Sequence, residues 1–96
     1  MLEDTQSFRS AHELKDFVHR TLCEKENLLA DQFRMTEETL YSRGNPCALQ
    51  FTIRGPRAIK LGAIWAIDQG TILFYDTRGE RYQKVNLQQT VQLDVA

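Results

Sequence analysis

Four residues near the N-terminus are of types that bind metals or act together as nucleophile and base. They follow one another at intervals of four, three and four residues, so a helix would align them in one stripe: His12, Asp16, His19 and Cys23. These side chains are common zinc ligands, and a cysteine near a histidine can form a nucleophile–base pair. The spacing therefore raises two hypotheses, a metal site and a cysteine-based catalytic site.

Helix geometry argues against both hypotheses. The stripe lies about 140° from the centre of the apolar face at 100° per residue, which predicts that it is solvated and its cysteine exposed. Four ligands along one helix also span about 16 Å, too far to close around one ion. A catalytic pair needs a third orienting group and oxyanion donors, and no phosphate-binding glycine loop opens a helix. We predict no enzymatic activity, cofactor or metal, with His19 and Cys23 as the candidates if a metal binds.

The stripe belongs to a helix whose start and end the sequence indicates. Ser10 and Glu13 fit a capping box, in which the Ser10 hydroxyl accepts from the Glu13 amide. Asn27 tolerates the left-handed conformation that ends many helices. Between them the apolar side chains follow a 3.6-residue period. The pattern predicts a helix over about 10–26, preceded by a flexible N-terminus over 1–9.

A second, short helix is predicted further along. Thr36 resembles an N-cap, and the two glutamates that follow it favour the positive end of a helix dipole. Gly44 ends the pattern, and Pro46 prevents a helix from resuming. We therefore predict a helix over about 37–43. Residues 28–35 have no clean period and are predicted to connect the helices, with three anchors: Leu28, Leu29 and Phe33.

After Pro46 the apolar residues alternate with period 2, which is typical of strands. Alternating segments at 49–54, 59–67, 72–75 and 81–85 are separated by short turns, and short turns favour antiparallel pairing. The pattern at Val91, Leu93 and Val95 suggests a last strand. The sequence thus predicts one α+β domain over 1–96. It has a helical part over 10–44 and an antiparallel meander of four to five strands over 47–95, with the helices packed on the sheet.

The hairpin at residues 72–87, ILFYDTRGERYQKVNL, has two possible registers. A two-residue loop at Arg78-Gly79 would pair Asp76 with Arg81. A type I turn over Asp76–Gly79 with a bulge at the glycine would shift the pairing by one residue, and aspartate first with glycine fourth suits that turn better. Because a one-residue slip exchanges the faces, Tyr82 points to the core in one register and to solvent in the other.

The basic residues of the strand region are predicted to gather at one end of the sheet. Alternate turns of an antiparallel meander lie at the same end, so the Gly55-Pro56 turn and the Arg78-Gly79 turn should be neighbours. Arginine side chains suit carboxylates and phosphates, so an anion or an acidic partner could bind there. Two acidic residues in the same turn, Asp76 and Glu80, would offset part of this charge. The predicted site consists of Arg54, Arg57, Arg78 and Arg81.

One face of the predicted sheet is more apolar than a solvated face needs to be. Ile64, Ala66, Leu73 and, in one register, Tyr75 belong to it. The second helix, residues 28–35 or another molecule must then cover it. Cover by the second helix or by residues 28–35 is the favoured expectation, and a weak dimer comes next. The sequence therefore predicts a small binding domain that contacts an unknown protein partner or forms a weak homodimer. The alternative is binding of an anionic ligand or nucleic acid at the arginine-bearing end of the sheet.

Composition limits the partners and the compartment. The 96 residues carry a net charge of −1, divided into −4 over residues 1–42 and +3 over residues 43–96. This bias is weak for a nucleic-acid binder. The acidic N-terminus does not resemble a signal peptide, and the longest apolar run is far below the roughly 20 residues of a membrane span. We predict no membrane partner and a cytoplasmic protein with two free thiols. A disulfide between Cys23 and Cys47 is the alternative.

Overall fold

The structure, a computed structural model, describes residues 2–91 and contains one α-helix and a six-stranded sheet. The α+β class is confirmed, but the predicted second helix and the count of four to five strands are wrong. A single 3₁₀ turn, Ile67–Gln69, lies in one connection, and a tight turn with left-handed residues lies at Pro56–Ala58 in another. The elements are β1 (Leu2–Gln6), α1 (Ala11–Lys25), β2 (Met35–Ser42), β3 (Asn45–Arg54), β4 (Lys60–Ala66), β5 (Thr71–Tyr75) and β6 (Arg81–Leu87).

The sheet is an antiparallel meander with one added parallel strand. Its spatial order is β1-β6-β5-β4-β3-β2, so the last five strands are neighbours in chain order. β1 pairs in parallel with β6, with Leu2 opposite Gln83. β1 and β2 therefore form the two edges, and β4 lies inside the meander, between β3 and β5.

The helix begins and ends as the sequence predicts. The Ser10 hydroxyl accepts a hydrogen bond from the Glu13 amide at 3.2 Å. At the other end Asn27 has a φ of 55°, and the Leu28 amide donates to the Cys23 carbonyl at 2.8 Å. This hydrogen bond, from a residue beyond the helix back to its last turn, satisfies one of the carbonyl groups that a helix end leaves without a partner. The chain thereby turns back along the helix instead of away from it.

α1 covers one face of the sheet, and the core lies between them. Leu14, Val18 and Leu22 on the helix are fully buried. Each such side chain contributes about 1.5–3 kcal/mol by leaving water. The sheet supplies alternate residues of four strands to the same core: Leu49, Phe51, Ile53, Leu61, Ala63, Trp65, Ile72, Phe74 and Val85.

The segment predicted as a second helix, 37–43, is strand β2 and the start of a hairpin turn. Eight residues of β2 pair with β3, and the Thr36 hydroxyl donates to the Thr52 carbonyl at 3.3 Å. Arg43 and Gly44 both have positive φ, 53° and 80°, which is the backbone of a two-residue hairpin turn. Gly44 thus leads into β3 instead of ending a helix. The pairing of β2 with β3 outweighs the local preference for a helix N-cap at Thr36.

The predicted flexible N-terminus, 1–9, is also wrong over most of its length. Residues 2–6 form β1, and Phe8 is 7% exposed and belongs to the core. No local pattern indicates this strand, because its partner β6 lies about 80 residues later in the chain. The predicted last strand falls mainly on residues 92–96, outside the described residues. Val91, which is described, is buried.

The connecting segment 28–35 packs on the helix side of the sheet. Leu28 and Phe33 contact the core as predicted, whereas Leu29 is 60% exposed. The His19 imidazole lies 2.7 Å from the Phe33 carbonyl oxygen, which ties this segment to α1. Among the described residues no helix has the length and apolar character required to cross a membrane.

The turn between β3 and β4 contains two successive residues in the left-handed region. Arg57 has a φ of 59° and Ala58 a φ of 62°. The Ile59 amide closes the turn by donating to the Pro56 carbonyl at 3.2 Å. Asparagine and glycine are the usual residues of such a turn, because a β-carbon is strained there. The turn therefore holds strain that the β3–β4 pairing maintains.

We expect Ala58→Gly to raise the free energy of unfolding by about 0.5–1 kcal/mol, because it removes a β-carbon from a left-handed position. The measurement is urea denaturation followed by circular dichroism. Ala66→Gly is the matched control: Ala66 lies in β4 with a φ of −81°, so glycine there should destabilise the protein. Equal destabilisation by the two substitutions would contradict the assigned turn.

Candidate functional site

The side chains that point away from α1 form a surface over which no described element lies. We call it the open face. It exists because strand side chains alternate between the two sides of the sheet and the helix covers only one of them. The strand registers place the following residues on it: Glu3, Thr5, Thr36, Glu38, Leu40, Ala48, Gln50, Thr52, Arg54, Lys60, Gly62, Ile64, Ala66, Thr71, Leu73, Tyr75, Arg81, Lys84 and Asn86.

One row of side chains crosses the open face from β2 to β6, and we call it the central row. Its middle is apolar, Glu38 and Lys84 are charged, and Glu3 on β1 lies opposite Lys84 and adds a second acidic side chain at that edge. Neither Glu38 nor Lys84 forms an ion pair within residues 2–91. Glu38 is exposed and Lys84 is half-buried. The row consists, in order, of Glu38, Gln50, Ile64, Leu73 and Lys84.

A hollow of about 410 Å³ lies beside the central row. It opens over Gly62, between the side chains of Lys60, Gln50 and Tyr75. A β-carbon added at Gly62 would meet only the Phe51 carbonyl oxygen, at 3.4 Å, so neither backbone angle nor packing requires glycine there. Glycine weakens a strand interior and often marks a place where a ligand or another backbone approaches. A glycine inside a strand was therefore the sequence signal for the hollow. The predicted site included neither Gly62 nor Lys60.

The four predicted arginines lie at one end of the sheet, in or beside the β3–β4 and β5–β6 turns. Arg78 lies 3.5 Å from a carboxylate oxygen of Glu80, and Arg81 donates to the Tyr75 hydroxyl at 3.2 Å. None of the four lines the hollow, where Lys60 is the cation. They share an end of the sheet, and their anion-binding role stays a prediction. All four are exposed: Arg54, Arg57, Arg78 and Arg81.

The β5–β6 turn adopts the second of the two registers. The Gly79 amide donates to the Asp76 carbonyl at 3.0 Å, and Gly79 has a φ of 80°. The Asp76 carboxylate accepts from the amides of Arg78 and Glu80 at 2.9 and 3.0 Å. The hydrogen bond from Glu80 is the main reason why the pKa of Asp76 is lowered. This carboxylate therefore holds the turn in place as well as offsetting the charge of the arginines.

Tyr82 faces the helix side because of a second irregularity in β6. Phe74 pairs with Gln83 and Tyr75 with Arg81, so Tyr82 is an extra residue in the ladder. Its ring lies 6.2 Å from that of Phe74, under the ammonium group of Lys25 at 4.5 Å. Its hydroxyl is buried and has no hydrogen-bond partner among residues 2–91. Burial raises the pKa of Tyr82 to about 12.

We expect Tyr82→Phe to reduce the loss of stability at alkaline pH. In the unfolded chain the hydroxyl ionises near pH 10, whereas in the folded protein it keeps its proton to about pH 12. The free energy of unfolding of the wild type therefore keeps its full value below pH 10 and decreases between pH 10 and about pH 12. Phenylalanine keeps the ring under Lys25 and removes only the ionising group. The measurement is the free energy of unfolding in urea at pH 8 and at pH 11. Tyr41→Phe, at a tyrosine that is 65% exposed, is the control and should behave like the wild type.

The stripe on α1 does not form a common site. Cys23 is 1% exposed, so the predicted exposed cysteine is wrong, and burial raises the pKa of its thiol. Cys23 belongs to the buried core, and Leu28 and Phe33 of the connecting segment pack against the same core. His19 contacts the Phe33 carbonyl, as described above. The other two residues of the stripe, His12 and Asp16, lie 3.4 Å apart in solvent.

The described part of the chain contains neither a metal-binding cluster nor a disulfide bond. No three histidine, cysteine, aspartate or glutamate side chains within residues 2–91 are grouped closely enough to hold an ion. Cys23 and Cys47 are both free thiols. The Cys47 thiol donates to the Leu40 carbonyl at 3.3 Å, and the residue is half-buried. A buried, desolvated thiol such as Cys23 is a weak nucleophile, since the thiolate is the reactive form.

Comparison of the chain with protein-family models, with curated proteins and with solved structures found no match. The functional interpretation therefore rests on the geometry of the open face, the central row and the hollow at Gly62.

Proposed function

We propose that this chain is a small, non-catalytic binding domain that contacts another protein chain through the open face. The observation that carries the proposal is an apolar surface without a cover: Ile64, Leu73 and Tyr75 are only half-buried, and no described element lies over them. The two intramolecular covers expected from the sequence do not reach it, because the second helix is β2 and residues 28–35 pack beside α1. An apolar centre with charged residues at its border has the composition of a protein interface.

The proposed absence of catalysis and the proposed compartment are supported by the two cysteines. The nucleophile–base pair considered first, Cys23 with His19, has its thiol in the core and its imidazole against the Phe33 carbonyl. Free thiols at both cysteines suit the reducing conditions of the cytoplasm, which we propose as the compartment.

We expect the open face to be protected in the presence of its partner. Hydroxyl-radical footprinting, read by mass spectrometry, should compare the dilute purified chain with the same labelled chain in an extract of the cells that express it. Leu73 and Tyr75 should become oxidised several-fold less in the extract, because a bound protein excludes solvent from them.

Two exposed residues off the open face are matched controls for this experiment. Leu29 is 60% exposed and Tyr41 is 65% exposed, and each is of the same type as one of the probes. Both should be oxidised to the same extent in the two samples. Equal oxidation of all four residues in dilute chain and extract would contradict binding through the open face.

A second candidate function, binding of an anionic ligand, is favoured by the end of the sheet that holds both turns. Lys60 at the start of β4 and the Asp76–Gly79 turn line the same hollow. Arg54 and Arg57 form no ion pair with an acidic residue among residues 2–91. Cations that lack an internal partner are available to a phosphate or carboxylate.

We expect inorganic phosphate or a short RNA to shift the amide NMR signals of the two turns if this second function holds. Replacement of Arg57 and Arg78 with alanine should abolish those shifts, because it removes two of the cations without touching the hollow or the open face. Arg20→Ala, at an exposed position on the helix beside Ala30 and Asp31, is the control and should leave them unchanged. Shifts that persist in the arginine variant would contradict the role of these arginines.

A further inference from the structure

We propose that the hollow at Gly62 is a binding site for a small aromatic carboxylate, with its ring over Gly62 and its carboxylate beside Lys60. This rests on the second candidate function, anion binding at this end of the sheet, and it names the ligand and its position. The carrying observation is a strand glycine that neither backbone nor packing requires. It leaves a hollow between a tyrosine and a lysine that has no ion pair among residues 2–91.

Gly62 is a gap in a row of side chains that runs beside the central row. Its neighbours in that row are Thr52 on β3 and Tyr75 on β5. Side chains on one face of a strand are two residues apart, so Ile64 and Lys60 stand on either side of the gap along β4. The floor of the hollow is therefore strand backbone. Its walls include an aliphatic side chain, an aromatic ring and an ammonium group.

The apolar part of the hollow suits a flat ring. Ile64 and Tyr75 are half-buried, and both line the hollow. A ring laid on the backbone of Gly62 would contact both side chains without meeting a β-carbon, and aromatic rings pack favourably against the face or edge of one another. The volume of about 410 Å³ lies in the range of ligand pockets, about 300–1,000 Å³, so it admits a ring with its acidic substituent.

Arg81 holds the Tyr75 side chain in place at the wall of the hollow. Its guanidinium group lies 5.7 Å from the centre of the tyrosine ring and donates a hydrogen bond to the hydroxyl oxygen at 3.2 Å. A phenolic hydroxyl both donates and accepts, so the Tyr75 hydroxyl keeps its own proton for an acceptor. A carboxylate oxygen is such an acceptor.

The charge at this end of the sheet favours an anion. Residues 54–60 and 75–81 contain five basic and two acidic side chains. Asp76 is the one acid that lines the hollow, and its carboxylate accepts from two backbone amides of its own turn. Lys60 is exposed and is the one cation of the lining, so the hollow matches the single charge of a carboxylate.

A hollow that is open to solvent on one side predicts weak binding. For a ligand of about ten non-hydrogen atoms, ordinary contributions per atom give a Kd on the order of 1 mM. Phenylacetate is a suitable probe, because it combines one ring with one carboxylate that is ionised at pH 7. Two related molecules separate its parts: phenylacetamide keeps the ring without the charge, and acetate keeps the charge without the ring.

The test is an NMR titration of the purified chain with each probe to about 20 mM at pH 7 and constant ionic strength. With phenylacetate, the amide signals of Gly62, Ile64 and Tyr75 should shift and approach saturation. Phenylacetamide should bind about fivefold or more weakly, because it offers no charge to Lys60. Acetate should not produce a saturable shift of these signals.

Two substitutions test the two parts of the hollow. Lys60→Met keeps the aliphatic stem and removes the charge, so it should weaken binding of phenylacetate about fivefold or more and leave that of phenylacetamide unchanged. Gly62→Val places a side chain in the hollow and should abolish binding of both probes. Valine suits a strand, and its β-carbon would meet the Phe51 carbonyl oxygen at an ordinary contact distance of 3.4 Å.

Lys84→Met is the matched control for the lysine variant. Lys84 belongs to the open face and does not line the hollow, so this variant should bind phenylacetate like the wild type. The dispersion of the amide signals checks that each variant is folded. If Gly62→Val fails to fold, the comparison of Lys60→Met with Lys84→Met still decides the role of the charge.

Three results would overturn the proposal: no saturable shift with phenylacetate, equal affinity for phenylacetamide, or unchanged affinity in Lys60→Met. The phosphate titration described above separates this failure from that of the second candidate function. Phosphate shifts at the two turns without phenylacetate binding would remove the hollow as the site and leave anion binding standing. Absence of both would remove both.

Discussion

One helix has to cover a six-stranded sheet, and it can reach only one of the two faces. Fifteen residues make a helix about 22 Å long, which nearly matches the width of the sheet, about 24 Å across five strand spacings. The core is therefore confined to the helix side, where Leu14, Val18 and Leu22 contact alternate residues of the strands. Each strand still has a second row of side chains, and that row is the origin of the open face.

Local patterns in the sequence specify the helix and one hairpin but not the sheet's edges. Ser10, Asn27 and the Asp76–Gly79 turn act through hydrogen bonds between residues close in sequence. The local sequence is therefore sufficient to locate them. β2 was misassigned because a threonine followed by two glutamates suits a helix start as well as a strand. The pairing with β3 decides between them, and the residues of β2 alone do not show that pairing. β1 is the extreme case, since its partner is almost the whole chain away.

The candidate site, like the fold, is visible in the sequence only in part. The apolar character of Ile64, Ala66 and Leu73 is visible in the sequence, but the intramolecular cover favoured for that face is not found among residues 2–91. The central row is not visible, because Glu38 and Lys84 become members of one row only when four strand registers are known. Cys23 shows the opposite error: helical geometry alone places it in solvent, whereas it belongs to the buried core of the folded chain.

The parallel pairing of β1 with β6 has a consequence for the order in which the protein folds. During synthesis the N-terminal strand leaves the ribosome first, and its partner is added only after every other strand has been made. Contacts between residues so far apart in sequence close late, and proteins rich in them fold slowly. Until β6 emerges, β5 remains an exposed edge and the nascent chain lacks one side of its sheet. The edge of β5 is therefore closed only when β6 is available, and the same strand gives β1 its place in the sheet.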